Sequence, residues 1–203
     1  MTRVGFIVEG PSDKKLIESQ RFKDWLWDEC KLEIVNPIID AHGSGNMCSR
    51  KIPDLVDGLK KQAKPDRIVV LADLDPDQCA PCITERKKLI GSAGIDLVVI
   101  AKKAMESWFL ADTKAMRRWT GDDTFYEPSP EDMDNMPWDR LKAIKNKNGR
   151  GPGDTKRIFA RTIINKCHFD VRRAAKHPAC PSARYFVERV CALGGMHDNG
   201  GCA

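Results

Sequence analysis

Residues 66–77 read DRIVVLADLDPD, a run of apolar residues that ends in three alternating aspartates. Residues 66–71 are short and rich in β-branched side chains, which predicts a buried strand. Asp73, Asp75 and Asp77 follow where that strand ends. Functional groups of an open parallel sheet collect at the carboxyl ends of its strands. The position of these three aspartates therefore predicts a functional site.

The alternation of short apolar runs with longer amphipathic stretches extends over the first 112 residues. The predicted strands cover residues 3–8, 32–39, 66–71 and 96–101, and the predicted helices cover residues 11–30, 51–62, 84–92 and 104–111. Continuous apolar strands that alternate with helices are typical of a parallel sheet covered on both faces. The sequence therefore predicts an α/β fold, a central parallel sheet flanked by helices.

The alternation of strands and helices does not continue in the rest of the chain. Residues 121–138 contain three prolines and six acidic residues, which predict a connecting loop. The glycine-rich turn at residues 148–153 leads into a helix from about Asp154, and a last helix covers residues 182–193. We therefore divide the 203 residues into an α/β catalytic domain at 1–118, an acidic connecting loop at 119–138, and a basic helical extension at 139–203 packed on that domain.

Charge is unevenly distributed along the chain. Residues 1–139 contain 20 Lys and Arg against 25 Asp and Glu, whereas residues 140–203 contain 14 against 4. This split favours a polyanionic partner such as DNA or RNA, with a solvated basic surface as the alternative. The residues that would suit a phosphate-binding surface are Arg140, Lys142, Lys145, Lys147, Arg150, Arg157 and Arg161.

The N-terminus does not resemble a signal peptide, and no apolar run is long enough to span a membrane. We therefore expect a cytoplasmic protein whose eight cysteines are mostly reduced thiols. A zinc site is disfavoured because the two regularly spaced knuckles of such sites are missing. The residues considered for zinc are Cys79 and Cys82, and separately Cys167, His168, His177 and Cys180.

Acidic residues follow two more of the predicted strands. Glu9 comes directly after the first strand, and Glu106 comes just after the fourth. Each residue alone fits a turn or a helix N-cap. Several carboxylates at one edge of a sheet repel each other unless a cation lies among them. The set therefore predicts a site for Mg²⁺ or Mn²⁺, which prefer carboxylate oxygens.

These motifs resemble the TOPRIM domain family. The resemblance depends on the Val8-Glu9-Gly10 segment with Asp13, and on the DLDPD segment about 65 residues later, each placed after a strand. It covers roughly residues 1–115. The segment at residues 103–112, KAMESWFLAD, is similar to a feature of stand-alone bacterial TOPRIM-like proteins. The family includes topoisomerases, primases, RecR proteins, a ribosomal-RNA maturase and the overcoming-lysogenization-defect (OLD) nucleases.

The resemblance implies specific roles for the acidic residues. Glu9 would be a metal ligand or a general acid and base, Asp73 and Asp75 would coordinate Mg²⁺, and Asp77 would take a third, less demanding place. Asp13 and Glu106 match further acidic positions of the OLD nucleases, which makes a two-metal site plausible. Lys156 resembles a Gly-Lys element of the same nucleases and would be catalytic, with a solvated helix lysine as the alternative.

The function that follows is a Mg²⁺-dependent nuclease of the TOPRIM type, which hydrolyses DNA or RNA with water as the nucleophile. By motif, the OLD nucleases are the nearest, which implies a separate ATPase subunit and a role in bacterial defence. By size, the ribosomal-RNA maturase is the nearest. The alternative is a non-catalytic nucleic-acid-binding or scaffold module with a vestigial site. A small-molecule phosphotransferase lacks the acceptor-specific motifs.

Overall fold

The structure is a computed structural model that describes residues 1–48, 50–74 and 82–195. Within these residues one parallel sheet is formed, with the order β2-β1-β4-β5 and with β3 paired to β1 beyond the end of β2. The strands are β1 (Thr2–Val8), β2 (Leu32–Ile34), β3 (Ile39–Asp40), β4 (Arg67–Asp73) and β5 (Leu97–Ala101). The α/β fold predicted from the sequence is confirmed, and it is consistent with a Rossmann-like or TOPRIM arrangement.

Helices cover both faces of this sheet. They are α1 (Pro11–Glu18), α2 (Gln20–Asp28), α3 (Ile52–Ala63), α4 (Ile83–Ile90), α5 (Glu106–Ala111), α6 (Thr113–Thr120), α7 (Pro137–Ala143), α8 (Lys156–Asn165), α9 (Val171–Ala175) and α10 (Pro181–Gly195), with a 3₁₀ turn at Ser44–Asn46. Apolar residues of α3 and α4 pack on one face of the sheet, and the core on the other face draws on the remaining helices. No helix in the described part of the chain has both the length and the apolar character needed to cross a membrane.

The strands supply both cores because their side chains alternate between the two faces. In β1, Phe6 and Val8 belong to the larger core, whereas Ile7 belongs to the smaller one. In β4, Leu71 belongs to the larger core and Val70 to the smaller one. The strands are consequently apolar at nearly every position, as expected for a sheet buried on both faces.

The predicted helix over residues 11–30 is wrong in one respect, because the structure divides it into α1 and α2 at Ser19. The backbone of Ser19 is extended, with φ −67° and ψ 140°. Both its amide and its hydroxyl donate to the carbonyl of Leu16, at 3.1 and 2.7 Å. Serine ends a helix readily because its side chain competes for local backbone hydrogen bonds.

The predicted strand over residues 32–39 is likewise divided, into β2 and β3. The interruption contains the cis peptide bond between Asn36 and Pro37, and Pro37 has no backbone N–H to donate to a neighbouring strand. Both segments pair with β1 in parallel. This edge of the sheet is therefore parallel to β1, as predicted, but its hydrogen bonds to β1 are interrupted between β2 and β3.

The C-terminal helices pack directly on the α/β elements. Helix α8 lies against α1, α9 against α5, and α10 against β5. Phe159 of α8 packs edge-on against Phe109 of α5 and Trp119 of α6. The boundaries predicted at residues 118 and 138 stay predictions, and the larger core draws on both sides of them.

The acidic segment that connects α6 to α7 contains a buried glutamate, Glu131, that contacts the start of α10. Glu131 is fully buried and accepts hydrogen bonds from the Ser182 hydroxyl at 2.5 Å and from the Cys180 thiol at 3.0 Å. It also accepts from the backbone N–H of Ser182, in the first turn of α10. A carboxylate at a helix N-terminus satisfies amides that the helix leaves unbonded. Glu131 therefore caps α10 from a distant part of the chain.

One pair of cysteines departs from the expected reduced state. Cys30, just after α2, forms a disulfide with Cys191 of α10, a sequence separation of 161 residues. Cys48, Cys82, Cys167 and Cys180 are free thiols. The sequence did not predict this pair because α2 and α10 meet only in the folded chain.

Candidate active site

A cavity of about 970 Å³ opens at the carboxyl ends of the central strands. The neighbours β1 and β4 are the pair at which the strand order changes direction, and ligands of open α/β sheets bind at such a point. The side chains at this site come from the ends of β1 and β4 and from the starts of α1, α5 and α8. The cavity is lined by Glu9, Gly10, Pro11, Ser12, Asp13, Lys15, His42, Gly43, Asp73, Glu106, Thr155, Lys156, Arg157, Ile158 and Arg161.

Glu9 follows β1 and is held against the end of β4. Its backbone N–H donates to the carbonyl of Leu71 at 3.1 Å. Its carboxylate oxygen Oε2 accepts from the backbone N–H of Asp73, also at 3.1 Å. The same oxygen accepts from Nη2 of Arg86 at 3.1 Å. Parallel pairing of β1 with β4 thus brings together two acidic residues that are 64 positions apart.

Asp73 is the last residue of β4 and is 9% exposed. Its Oδ1 accepts from the backbone N–H of Met105, just before α5, at 2.9 Å. Its backbone carbonyl accepts from Nε of Arg86 at 3.2 Å. These hydrogen bonds therefore hold Asp73 between the end of β4 and the start of α5, the helix that follows β5.

Asp13 lies in the first turn of α1, which begins with Pro11 after Gly10. Its Oδ2 accepts from the backbone N–H of Gly10 at 2.9 Å, so it closes the helix N-terminus. Burial, followed by the nearby carboxylates of Glu106 and Glu9, raises the pKa of Asp13 well above its ordinary value. The carboxylate of Asp13 is therefore close enough to those of Glu106 and Glu9 to be repelled by them.

Glu106 and Lys156 join the two halves of the chain at this cavity. Glu106 begins α5 and is 2% exposed, and its Oε2 accepts from Nζ of Lys156 at 3.0 Å. Lys156 is the first residue of α8, whose N-cap Thr155 accepts from the backbone N–H of Ile158 through its hydroxyl. The Lys156 side chain is 41% exposed, so it reaches the acidic cavity from the solvent side.

The structure brings together five of the predicted metal-binding and catalytic residues and separates other predicted residues from them. Glu9, Asp13, Asp73, Glu106 and Lys156 line one cavity. Arg157 and Arg161 of the predicted phosphate-binding set also line it. Arg140, Lys142, Lys145, Lys147 and Arg150 are not among the described lining residues. Asp75, Asp77 and Cys79 lie outside the described residues.

Two of the predicted phosphate-binding residues form ion pairs elsewhere. Arg140 donates to the buried carboxylate of Glu127 at 2.7 Å, and Lys142 pairs with Asp139 one turn earlier at 2.6 Å. A single run of basic residues in the sequence is therefore divided in the fold. Of the predicted phosphate-binding residues, those of α8 line the cavity, and Arg140 and Lys142 of α7 are not among its described lining residues.

The donor chemistry of the cavity fits a divalent cation. Carboxylate oxygens are the ligands that Mg²⁺ and Mn²⁺ take, usually a few carboxylates with waters. Within residues 1–48, 50–74 and 82–195, however, no three His, Cys, Asp or Glu side chains are grouped tightly enough to hold a metal ion. Arg86 and Lys156 instead neutralise part of the acidic charge. A cation bound here would therefore require side-chain movement or a ligand from outside the described residues.

Several residues that shape the site carry no recognisable motif in the sequence. Arg86 lies within TERKK, a pattern typical of a solvated helix, yet it is 2% exposed and contacts both acidic strand ends. His42 and Gly43 follow β3 and reach the cavity because β3 pairs with β1. Only the sheet pairing identifies them, since no motif surrounds them.

The fold and the cavity define an α/β protein with an acidic site at the switch point of its sheet and basic residues from a later helix at the cavity edge. No protein-family model and no curated protein sequence matches the chain. Among solved structures, the chain is similar to the C-terminal region of the Burkholderia pseudomallei OLD protein. The identity is 13% and the TM-score is 0.39, over 96% of this chain and 99% of that one.

Proposed function

We propose that this protein is a divalent-metal-dependent nuclease that hydrolyses phosphodiester bonds of DNA or RNA. The observation that carries the proposal is the convergence of four carboxylates and one lysine on a single cavity. They are Glu9, Asp13, Asp73, Glu106 and Lys156. The carboxylates come from three separate places in the chain, and only the order of the sheet strands unites them.

The energetics of this cluster support a cation-binding role. Glu9, Asp13, Asp73 and Glu106 are each no more than 9% exposed. Grouping buried like charges destabilises the folded protein unless a cation or a proton compensates. The raised pKa of Asp13, caused by burial and then by Glu106 and Glu9, is the sign of that cost. A bound divalent cation would remove it.

Glu9, Asp13, Asp73 and Glu106 would hold the metal, with Asp75 and Asp77 as further candidates from the sequence. A divalent cation bound there would lower the pKa of a water molecule and stabilise negative charge on the phosphate. Glu9, which is already oriented by two hydrogen bonds, would accept a proton from the attacking water.

The basic side chains of α8 would bind the nucleic-acid backbone. Lys156 and Arg157 lie in the first turn of α8, and Arg161 lies one turn later on the same cavity. The amides at a helix N-terminus favour anions, and lysine and arginine side chains add charge. Lys156 would stabilise the negative charge that develops on the phosphate in the transition state.

A cleavage panel tests the proposal. Supercoiled plasmid, single-stranded DNA and structured RNA are incubated with Mg²⁺, with Mn²⁺ or with EDTA. The wild type should cleave at least one substrate only with metal, and Asp73→Asn should lower the rate at least about 100-fold. Asparagine keeps an acceptor for the Met105 amide, so the fold should survive. Asp57→Asn, at an exposed position of α3, is the matched control.

The alternative is a nucleic-acid-binding module whose acidic site is vestigial. It predicts metal-independent binding without cleavage, and binding that Arg157→Gln and Arg161→Gln weaken. Absence of metal-dependent cleavage in every substrate, or equal cleavage by the wild type and Asp73→Asn, would refute the nuclease proposal.

The sequence resemblance to OLD nucleases adds a finer proposal, a separate ATPase subunit and a role in defence against phage or plasmids. Co-expression with a candidate ATPase, followed by size-exclusion chromatography, tests for such a complex. Cleavage of plasmid in preference to RNA would favour this assignment, and the reverse preference would favour a role in RNA maturation.

A further inference from the structure

Arg86 is the buried cation of the acidic site, and no sequence motif predicts it. It lies on α4 and is 2% exposed. Nε donates to the backbone carbonyl of Asp73 at 3.2 Å, and Nη2 donates to Oε2 of Glu9 at 3.1 Å. One guanidinium therefore contacts both the end of β4 and the residue that follows β1.

The geometry requires a forked side chain. A guanidinium presents several N–H donors in one rigid plane, so two hydrogen bonds fix their acceptors relative to each other. A lysine ammonium carries the same charge on a flexible stem and does not impose that plane. The separation and tilt of the Glu9 carboxylate relative to Asp73 are thus set by the shape of Arg86 as well as by its charge.

Stability alone is a weak reason for this ion pair. Arg86 and Glu9 have side chains that are 3% and 9% exposed. The desolvation of two buried charges offsets most of their attraction, and well-packed apolar residues often serve equally well. An ion pair at a strand end that opens on the cavity is better explained by what it does to Glu9.

We infer that Arg86 is a positioning residue that links the ends of β1 and β4 and sets the orientation of the Glu9 carboxylate at the active site. The catalytic part of this inference rests on the proposed nuclease function. Arg86 does not line the described cavity, so it acts on the reaction through the Glu9 carboxylate, without contact to the substrate.

Arg86→Lys is the first test, with Lys88→Met as the control on the same helix. Lys88 is exposed and pairs with Glu85 on the surface. We expect Arg86→Lys to lower kcat about 10- to 100-fold with KM nearly unchanged, because substrate contacts are intact and the carboxylate is misaligned. Mn²⁺ affinity, measured by electron paramagnetic resonance of the free ion, should fall in Arg86→Lys and stay at the wild-type value in Lys88→Met.

A double-variant cycle tests whether Arg86 acts through Glu9. Mn²⁺ affinity is measured for Glu9→Gln, Arg86→Lys and the combination. If Arg86 acts through Glu9, the combination should bind Mn²⁺ no more weakly than Glu9→Gln alone. Full additivity, or wild-type Mn²⁺ affinity and kcat in Arg86→Lys, would overturn the inference.

The Mn²⁺ measurement separates this inference from the proposed function. If the wild type binds Mn²⁺ but cleaves nothing, the nuclease proposal fails, and the positioning of Glu9 is still judged by the affinity cycle. If Arg86→Lys does not fold, Glu9→Gln is combined with Arg86→Met. Recovered folding supports the link between Arg86 and Glu9, and continued failure to fold overturns it.

Discussion

Lys156 donates a hydrogen bond from Nζ to Oε2 of Glu106 at 3.0 Å, across a sequence separation of 50 residues. Glu106 begins α5 in the acidic part of the chain, and Lys156 begins α8 in the basic part. The unequal charges of the two segments therefore meet at one site. Through this contact the C-terminal part of the chain contributes to the candidate site as well as to the core.

Replacing Lys156 by glutamine tests the proposed role of this lysine in stabilising the phosphate. We expect the cleavage rate to fall at least about 100-fold, because a positive charge is lost from the position where negative charge develops. Nucleic-acid affinity should fall much less, since Arg157 and Arg161 remain. Lys166→Gln, at the exposed end of α8, should cleave like the wild type. Equal rates for both variants would mean that Lys156 only neutralises Glu106.

Replacing Asp13 by asparagine should stabilise the metal-free protein. Burial and the nearby carboxylates of Glu106 and Glu9 raise the pKa of Asp13, so its ionised form is less favourable in the folded protein than in the unfolded chain; asparagine removes that charge while keeping an acceptor for the Gly10 amide. In EDTA we expect Tm to rise by roughly 2–8 °C, or about 1–2 kcal/mol in a chain of this length. Mg²⁺ should raise the Tm of the wild type more than that of Asp13→Asn.

Asp57→Asn is the control for this measurement, because Asp57 is exposed on α3, away from the acidic site. Its Tm should match that of the wild type with and without Mg²⁺. A lower Tm for Asp13→Asn in EDTA would contradict the view that the carboxylates repel each other in the absence of a cation.

Asp170 should make stability depend on acid pH. Burial alone would raise the pKa of Asp170, but hydrogen bonds from Arg172 and the charges of Arg172 and Arg173 outweigh it, so the pKa lies below its ordinary value. The unfolded chain then binds the proton first as the pH falls. The stabilisation from Asp170 is thus present above the unfolded pKa of about 4 and lost as the pH falls through the folded pKa.

Urea denaturation of Asp170→Asn measures this contribution. We expect a loss of about 1.5–3 kcal/mol at pH 7, the scale of hydrogen bonds to a charged group. The difference from the wild type should shrink steadily as the pH is lowered through the acid range. A loss of the same size at every pH would show that packing, and not the charge of Asp170, is responsible.

The disulfide between Cys30 and Cys191 should stabilise the fold by reducing the conformational entropy of the unfolded chain. Removing it by Cys30→Ala with Cys191→Ala is expected to cost about 2–5 kcal/mol, measured by urea denaturation without reductant. Reductant should destabilise the wild type and leave the double variant unchanged. Cys48→Ala is the control, since Cys48 is a free thiol. Titration of eight free thiols in the oxidised, denatured wild type would contradict this pairing.

The sequence was sufficient for the strands and for the acidic strand ends. Hydrophobic runs such as residues 66–71 identify buried strands because a strand covered on both faces has almost no polar position. Glu9, Asp73 and Glu106 could be placed at one edge because parallel strands end on the same side of the sheet. The interruptions at Ser19 and Pro37 were visible as residue types, but whether each divides an element depends on its local hydrogen bonds.

The sequence by itself determined an α/β fold and the carboxylates that gather at the edge of its sheet. Only the tertiary structure decided that Arg86 contacts Glu9, and that Lys156, which the sequence resemblance had placed at the site, contacts Glu106. The packing of α4 and α8 places Arg86 and Lys156 against these carboxylates, whereas Arg140 forms an ion pair with Glu127. The reason is physical: the position of each strand follows from its local hydrophobic pattern, but ion pairs across 50 or 77 residues depend on how helices pack, which local periodicity does not specify.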